Sequence, residues 1–96
     1  MKTVKFHPCA EAEMVKAATY YETQQSGLGK RFLAAVQEAV NRIVINPHLY
    51  PIVELDVRRC FTKTFPFGVL FRERSDMFVV MAVMHLHRDP DYWKTR

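Results

Sequence analysis

An α+β domain, a helix hairpin packed on a small and mainly antiparallel sheet, is the fold class that three features of this 96-residue sequence predict. The first half carries two stretches of apolar side chains at three- and four-residue spacing, separated by Ser26-Gly27-Leu28-Gly29. After Pro51 the chain turns to runs rich in Val, Phe and Leu, punctuated by turn residues. A short alternating run precedes the first helix, so the order reads β-α-α-β-β-β, with helices segregated from strands.

The elements follow in order. Thr3-Val4-Lys5-Phe6 alternates polar and apolar and predicts a strand, and Pro8 suits the first turn of a helix, where its missing N–H would be unpaired anyway. From Ala10 to Gln24 the side chains Ala10, Met14, Ala17, Ala18 and Tyr21 form one helical stripe, with Glu11, Glu13, Lys16 and Glu22 between them. Beyond the glycine breaker, Phe32, Leu33, Val36, Val40, Ile43 and Val44 mark a second helix that ends before Asn46-Pro47. Val57–Phe61, Gly68–Arg72 and Met77–Leu86 then read as three antiparallel strands. The last is apolar at both parities, as expected of a central strand covered on both faces.

Length and composition set bounds on this reading. Ninety-six residues make one domain, residues 1–96, with a single two-layer core, and 49% hydrophobic with 25% charged residues is ordinary for a globular chain. No segment reaches the roughly 20 apolar residues that span a bilayer, and the N-terminus has no apolar run of signal-peptide length, so a cytoplasmic protein with no membrane contact is expected. Cys9 and Cys60 lack CxxC spacing and read as small core residues. The formal charge of +4 favours an acidic or nucleic-acid-associated partner, but it is spread evenly, with six basic and four acidic residues in 1–48 and eight and six in 49–96.

No Gly-rich phosphate loop, HExxH, GxSxG or Cys–His metal spacing is present, so neither a metal nor another cofactor is expected. What remains is a set of basic and imidazole groups in the second half: Arg58, Arg59, Lys63, Arg72, Arg74, His85, His87 and Arg88, followed by Tyr92 and Trp93. A two-residue turn at Ser75-Asp76 would pair Arg74 with Met77, Arg72 with Val79, Phe67 with Met84 and Pro66 with His85. At ~3.3 Å per residue, Arg72 then lies roughly 20 Å from the level of His85 and outside any site with the histidines. Arg59, Lys63, His87 and Arg88 could instead gather at one sheet end, hold a phosphodiester and use His87 as a general acid or base. The other reading is a solvated sheet end, with Arg58 and Arg72 in surface pairs with Asp56, Glu54 or Glu73. Tyr21 belongs to the helix stripe, and Tyr92-Trp93 should fold back over the core rather than stack on bases.

Tyr20-Tyr21-Glu22, Gly27-Leu28-Gly29-Lys30-Arg31-Phe32, Asn46-Pro47, Tyr50-Pro51, Val57-Arg58-Arg59, Phe65-Pro66-Phe67, Phe71-Arg72 and His85-Leu86-His87-Arg88-Asp89-Pro90-Asp91-Tyr92-Trp93 cover nearly the whole chain. Taken in order, they resemble the RelE/ParE superfamily, the toxins of type II toxin–antitoxin systems, which includes plasmid-stabilisation proteins. The resemblance implies a growth-inhibiting toxin held in a hetero-oligomer by a cognate antitoxin, whose C-terminal segment lays a helix and a strand over the helix hairpin and the sheet. It also implies one of two targets. RelE-type members cut mRNA on the ribosome, for which Arg59 and Arg88 would hold phosphate, His87 would transfer a proton and Tyr92 would assist. ParE-type members block DNA gyrase without a recognised nuclease site, and here Arg58, Arg59, Lys63 and Arg88 would contact the target. RelE-type nucleases tend to carry an Arg early in the third strand, where this chain has Pro66, Phe67 and Gly68. The ParE-like reading is therefore preferred, with a ribosome-dependent mRNA endonuclease as the alternative and a non-toxic partner-binding module as a third.

Overall fold

The computed structural model describes residues 2–96, and its architecture is the predicted one with an added strand. Strand β1 (Thr3–Phe6) leads into α1 (Pro8–Gln24), and α2 (Leu28–Ile45) returns antiparallel to it. A single 3-10 turn (Pro47–Leu49) then leads to β2 (Ile52–Glu54), β3 (Val57–Phe61), β4 (Phe67–Glu73) and β5 (Met77–His85). The five strands form one sheet in the order β1-β5-β4-β3-β2, antiparallel except where β1 runs parallel to β5. Strand β2 was not anticipated: it has only three residues, follows Pro51 directly and exposes both Ile52 and Val53.

Pro8 takes the first position of α1, and the His7 ring accepts the Cys9 amide at 3.0 Å, so the helix start carries its own cap. Cys9 is consequently exposed, contrary to expectation, whereas Cys60 is fully buried. Both helices lie on one face of the sheet. Phe32 is fully buried there, with Phe67 at 4.8 Å and Phe65 and Tyr21 at 5.3 Å between ring centroids. Leu33, assigned to the buried stripe, is 40% exposed on the outer side of the hairpin.

The helices meet closely at Gly29. A Cβ there would sit 2.6 Å from the backbone oxygen of Ala18, which only glycine avoids. Glu22 accepts the amides of Gly27 and Gly29 at 3.0 Å, satisfying the start of α2 from the end of α1. Those two backbone hydrogen bonds, Gly27 first, hold the Glu22 carboxyl below its ordinary pKa.

The apolar run of β5 has the anticipated cause. Phe78, Val80 and Val83 face the helices, while Met81, Ala82 and Met84 pack with Val57, Leu70 and Trp93 on the opposite, open face. The C-terminal tail therefore covers the open face, as predicted for Tyr92-Trp93. Among the described residues no helix is long and apolar enough to cross a membrane.

Candidate functional site

The β4–β5 register follows the two-residue turn only as far as Phe71 opposite Val80. Beyond it Leu70 pairs with Ala82, so Met81 is an extra residue in β5, a β-bulge. The expected pairing of Phe67 with Met84 is thus corrected by one residue: Phe67 lies opposite His85. The shift turns the His85 ring towards the helices, edge-on to Phe67 at 5.1 Å. His87 follows on an exposed turn, its amide donating to His85 Nδ1 at 3.1 Å and its ring 5.3 Å from that of His85.

Where β1 ends, the His7 amide donates to the Val80 oxygen, and among the described residues β5 continues with no strand on that edge. Side chains take over. Glu13 Oε1 accepts the Val83 amide at 3.1 Å, and Arg96 Nη1 donates to the Met81 oxygen at 2.9 Å. Arg96 also holds Glu13 through both terminal nitrogens, each at 2.9 Å. Burial acts to raise the Glu13 carboxyl pKa, but the hydrogen bonds from Arg96 and the Val83 amide outweigh it and leave it lowered. The Arg96 guanidinium is raised in turn, first by its bond to Glu13.

Arg88 approaches Glu13 at 3.7 Å and stacks on the Tyr92 ring at 3.8 Å, with Arg96 at 4.9 Å from the same ring. The Tyr92 hydroxyl is buried beside Glu13 without a hydrogen-bond partner of good geometry. Burial first, and then the adjoining carboxylate, push this phenol far above its ordinary pKa. A phenol in that state neither yields a proton near neutrality nor reaches a substrate from beneath two guanidinium groups.

Of the residues singled out from the sequence, the structure brings Arg88 to Tyr92 and His87 to His85, sets Arg59 and Trp93 around one notch of the open face, and gives Arg58, Lys63 and Arg72 other neighbours. Arg59 stands on the open face with its guanidinium 4.5 Å from the Phe61 ring. Its chain neighbour Arg58 points to the opposite face and donates to the Tyr50 oxygen at 2.7 Å, rather than pairing with an acid. Lys63 leans towards Glu38 of α2 at 3.8 Å. It is carried outward by a turn that the Thr62 hydroxyl closes onto the oxygens of Phe65 and Phe67. Arg72 pairs with Asp56 at 2.9 Å, as expected, at the far end of the sheet. Phe67 and Gly68, where an early third-strand Arg would stand, are both buried.

Glu13 and Arg96 went unnoticed in the sequence, although Glu13 did leave a signal. It falls three residues after Ala10 and four before Ala17, on the apolar stripe itself. Nothing local marks Arg96. A second surface lies outside the helix hairpin, where Val15, 54% exposed, and Leu33 line an open groove of about 480 Å³ running to Gly27 and Lys30. Among the described residues no group of three or more His, Cys, Asp or Glu side chains could hold a metal ion.

Comparison with known proteins agrees with this architecture. A solved structure described as the chromosomal ParDE TA system from P. aeruginosa superimposes with a TM-score of 0.67 at 18% identity, covering 91% of this chain and 98% of that one. No curated protein matches the sequence. The family model of the ParE toxin of type II toxin–antitoxin systems, parDE, matches residues 4–90. With that match running from the first strand through the turn after β5, the chain belongs to the ParE toxin family.

Proposed function

We propose that this chain is a cytoplasmic toxin that arrests growth by binding a macromolecular target, DNA gyrase first, and that a cognate antitoxin holds it inactive in a hetero-oligomer. The family match over residues 4–90 carries the reading. The geometry of the basic residues supports binding over cleavage. Arg88 is engaged by Glu13 and Tyr92, Lys63 leans on Glu38, Arg59 lies against Phe61, and the Tyr92 phenol is buried and raised in pKa. The groove outside the helix hairpin suits an amphipathic helix of an antitoxin, with Val15 and Leu33 as its apolar floor. The related solved structure is described as a ParDE TA system.

The test is a gyrase supercoiling assay with purified protein, run beside a map of new mRNA 5′ ends at the onset of growth arrest. Inhibited supercoiling with intact messages supports the proposal, and restored supercoiling on adding the co-encoded protein supports its antitoxin. Cuts inside translated codons, with supercoiling untouched, would replace it by a ribosome-dependent endonuclease.

A further inference from the structure

Along the sequence the positive charge is spread evenly; in the fold it is not. Lys16, Tyr20, His85 and Arg88 line one open cleft at the end of the sheet where β5 stops. Arg31, Lys63 and Glu38 line a second, and the two adjoin through the Tyr21 and Phe65 rings, 4.9 Å apart. At the same level β3 ends at Phe61, whose oxygen accepts Arg42 Nη2 at 2.9 Å and whose ring carries Arg59 at 4.5 Å. Lys30 at the start of α2 and Arg96 beside Tyr92 bring the cations at this end to eight, against four acids, Glu13, Glu22, Glu38 and Asp89. The difference is the whole +4 of the chain, and the remaining charges cancel.

The acids of this end are turned inward to partners of their own. Arg96 holds Glu13, the Gly27 and Gly29 amides hold Glu22, Arg42 holds Glu38 at 2.7 Å, and Asp89 accepts the Asp91 amide at 3.0 Å. The cations face solvent instead. Lys16, Arg31, Lys63 and Arg88 are exposed, and the ion pairs of this end use neither Lys16 nor Arg31. His85 adds a donor, since its Nδ1 accepts the His87 amide and the neutral ring then carries its proton on Nε2.

Composition names the class of partner. A protein interface is built on apolar anchors with charge kept to its rim, whereas a nucleic-acid interface is more polar and far more positive. Most exposed aliphatic side chains gather elsewhere, Val15 and Leu33 outside the hairpin and Ile45, Leu49, Ile52 and Leu55 towards the opposite end of the sheet. The exposed rings of the basic end are already stacked, Tyr20 edge-on to Tyr21 at 5.6 Å and Phe61 against Arg59, which leaves phosphate rather than bases for it to meet. The Tyr21–Phe65 contact divides the two clefts, so the cations approach a backbone from outside, as a duplex presents it.

We propose that this end of the sheet binds the phosphodiester backbone of duplex DNA without regard to sequence, and so seats the toxin against the DNA on which its target works. The contact itself follows from the charge distribution; that the DNA is the target's own rests on the gyrase reading.

The test is fluorescence anisotropy of a short labelled duplex titrated with the full chain between about 50 and 200 mM salt. Saturable binding is expected, equal for two unrelated sequences, with log K falling against log salt at a slope of about −4, as for roughly four phosphates neutralised. Arg31→Gln combined with Lys63→Gln, both at exposed positions, should weaken binding about ten-fold and reduce the slope by about 2, with the circular dichroism spectrum retained. Arg74→Gln, 52% exposed at the opposite end, should change neither. No binding at about 50 mM salt, binding that the double variant leaves unchanged, or equal weakening by Arg74→Gln overturns the proposal. Tighter binding of polyglutamate than of the duplex overturns it in favour of an acidic protein, and tighter binding of a single strand, DNA or RNA, in favour of unpaired nucleic acid. The titration contains no gyrase: a chain that inhibits supercoiling without binding the duplex sinks this inference alone, and one that binds the duplex but leaves supercoiling untouched sinks the gyrase reading alone.

Discussion

Replacing Glu13 by alanine leaves three groups without their partner: both terminal nitrogens of Arg96, which it holds at 2.9 Å each, and the Val83 amide at 3.1 Å. Breaking a fully buried pair from one side costs about 3–5 kcal/mol. Here the two side chains retain 14% and 13% exposure, and Arg96 keeps the Met81 oxygen, so the expected loss is about 2–3 kcal/mol. For a domain of this size each kcal/mol shifts the melting temperature by about 4–8 °C, so a fall of about 10–20 °C is expected. Urea denaturation followed by circular dichroism and by Trp93 fluorescence measures it, since the tail that carries Trp93 also carries Arg96. The acid limb gives a second readout. The folded carboxyl lies below its unfolded value of about 4.3, so its contribution is complete above that value and is lost as pH falls through the folded-state pKa. Glu13→Gln, which keeps an acceptor for Val83, should flatten that limb. A loss under about 1 kcal/mol for Glu13→Ala, with an unchanged acid limb, would place the pair among ordinary surface contacts and refute the reasoning.

Gly29→Ala should cost about 1–3 kcal/mol in urea, because its Cβ meets the Ala18 backbone oxygen at 2.6 Å and the helices must separate; a neutral result would mean the hairpin has slack there. Glu22→Gln should speed hydrogen exchange at Gly27 and Gly29. In the wild type the same amides should lose protection as pH falls through the lowered Glu22 pKa, a trend the variant should lack. Phe32→Ala should destabilise by about 3–5 kcal/mol, read from the denaturant midpoint, since the ring is fully buried against three other aromatic side chains. Tyr92→Phe removes a hydroxyl without a partner, so stability should hold or rise slightly and growth arrest should be unchanged. Lost toxicity in a folded Tyr92→Phe protein would give the phenol a chemical role after all.

Helices and long strands were legible because their signal is local. The stripe from Ala10 to Tyr21, the Gly27-Leu28-Gly29 breaker and the double-parity run of β5 each state a period or a break that the backbone must obey. Strand β2 was not, because three residues after a proline carry no period. The site was less legible still. Arg58 and Arg59 are adjacent and chemically alike, yet alternation sends one to the Tyr50 oxygen and the other to the open face.

What the sequence determined by itself was the order of the helices and the longer strands, the hairpin and the covering of β5 on both faces, since periodicity and turn residues act over a few positions. The bulge at Met81 was decided only by tertiary structure. Arg96, which donates to the Met81 oxygen, lies 15 positions along the chain and pairs with Glu13 from α1, 83 positions away. Backbone groups left open where β1 ends take whichever donors and acceptors the packed chain brings within about 3 Å, and no local pattern records that choice. That one-residue shift brings His85 rather than Met84 opposite Phe67 and, with Glu13 and Arg96, fixes the end of the sheet from which the tail folds over the open face.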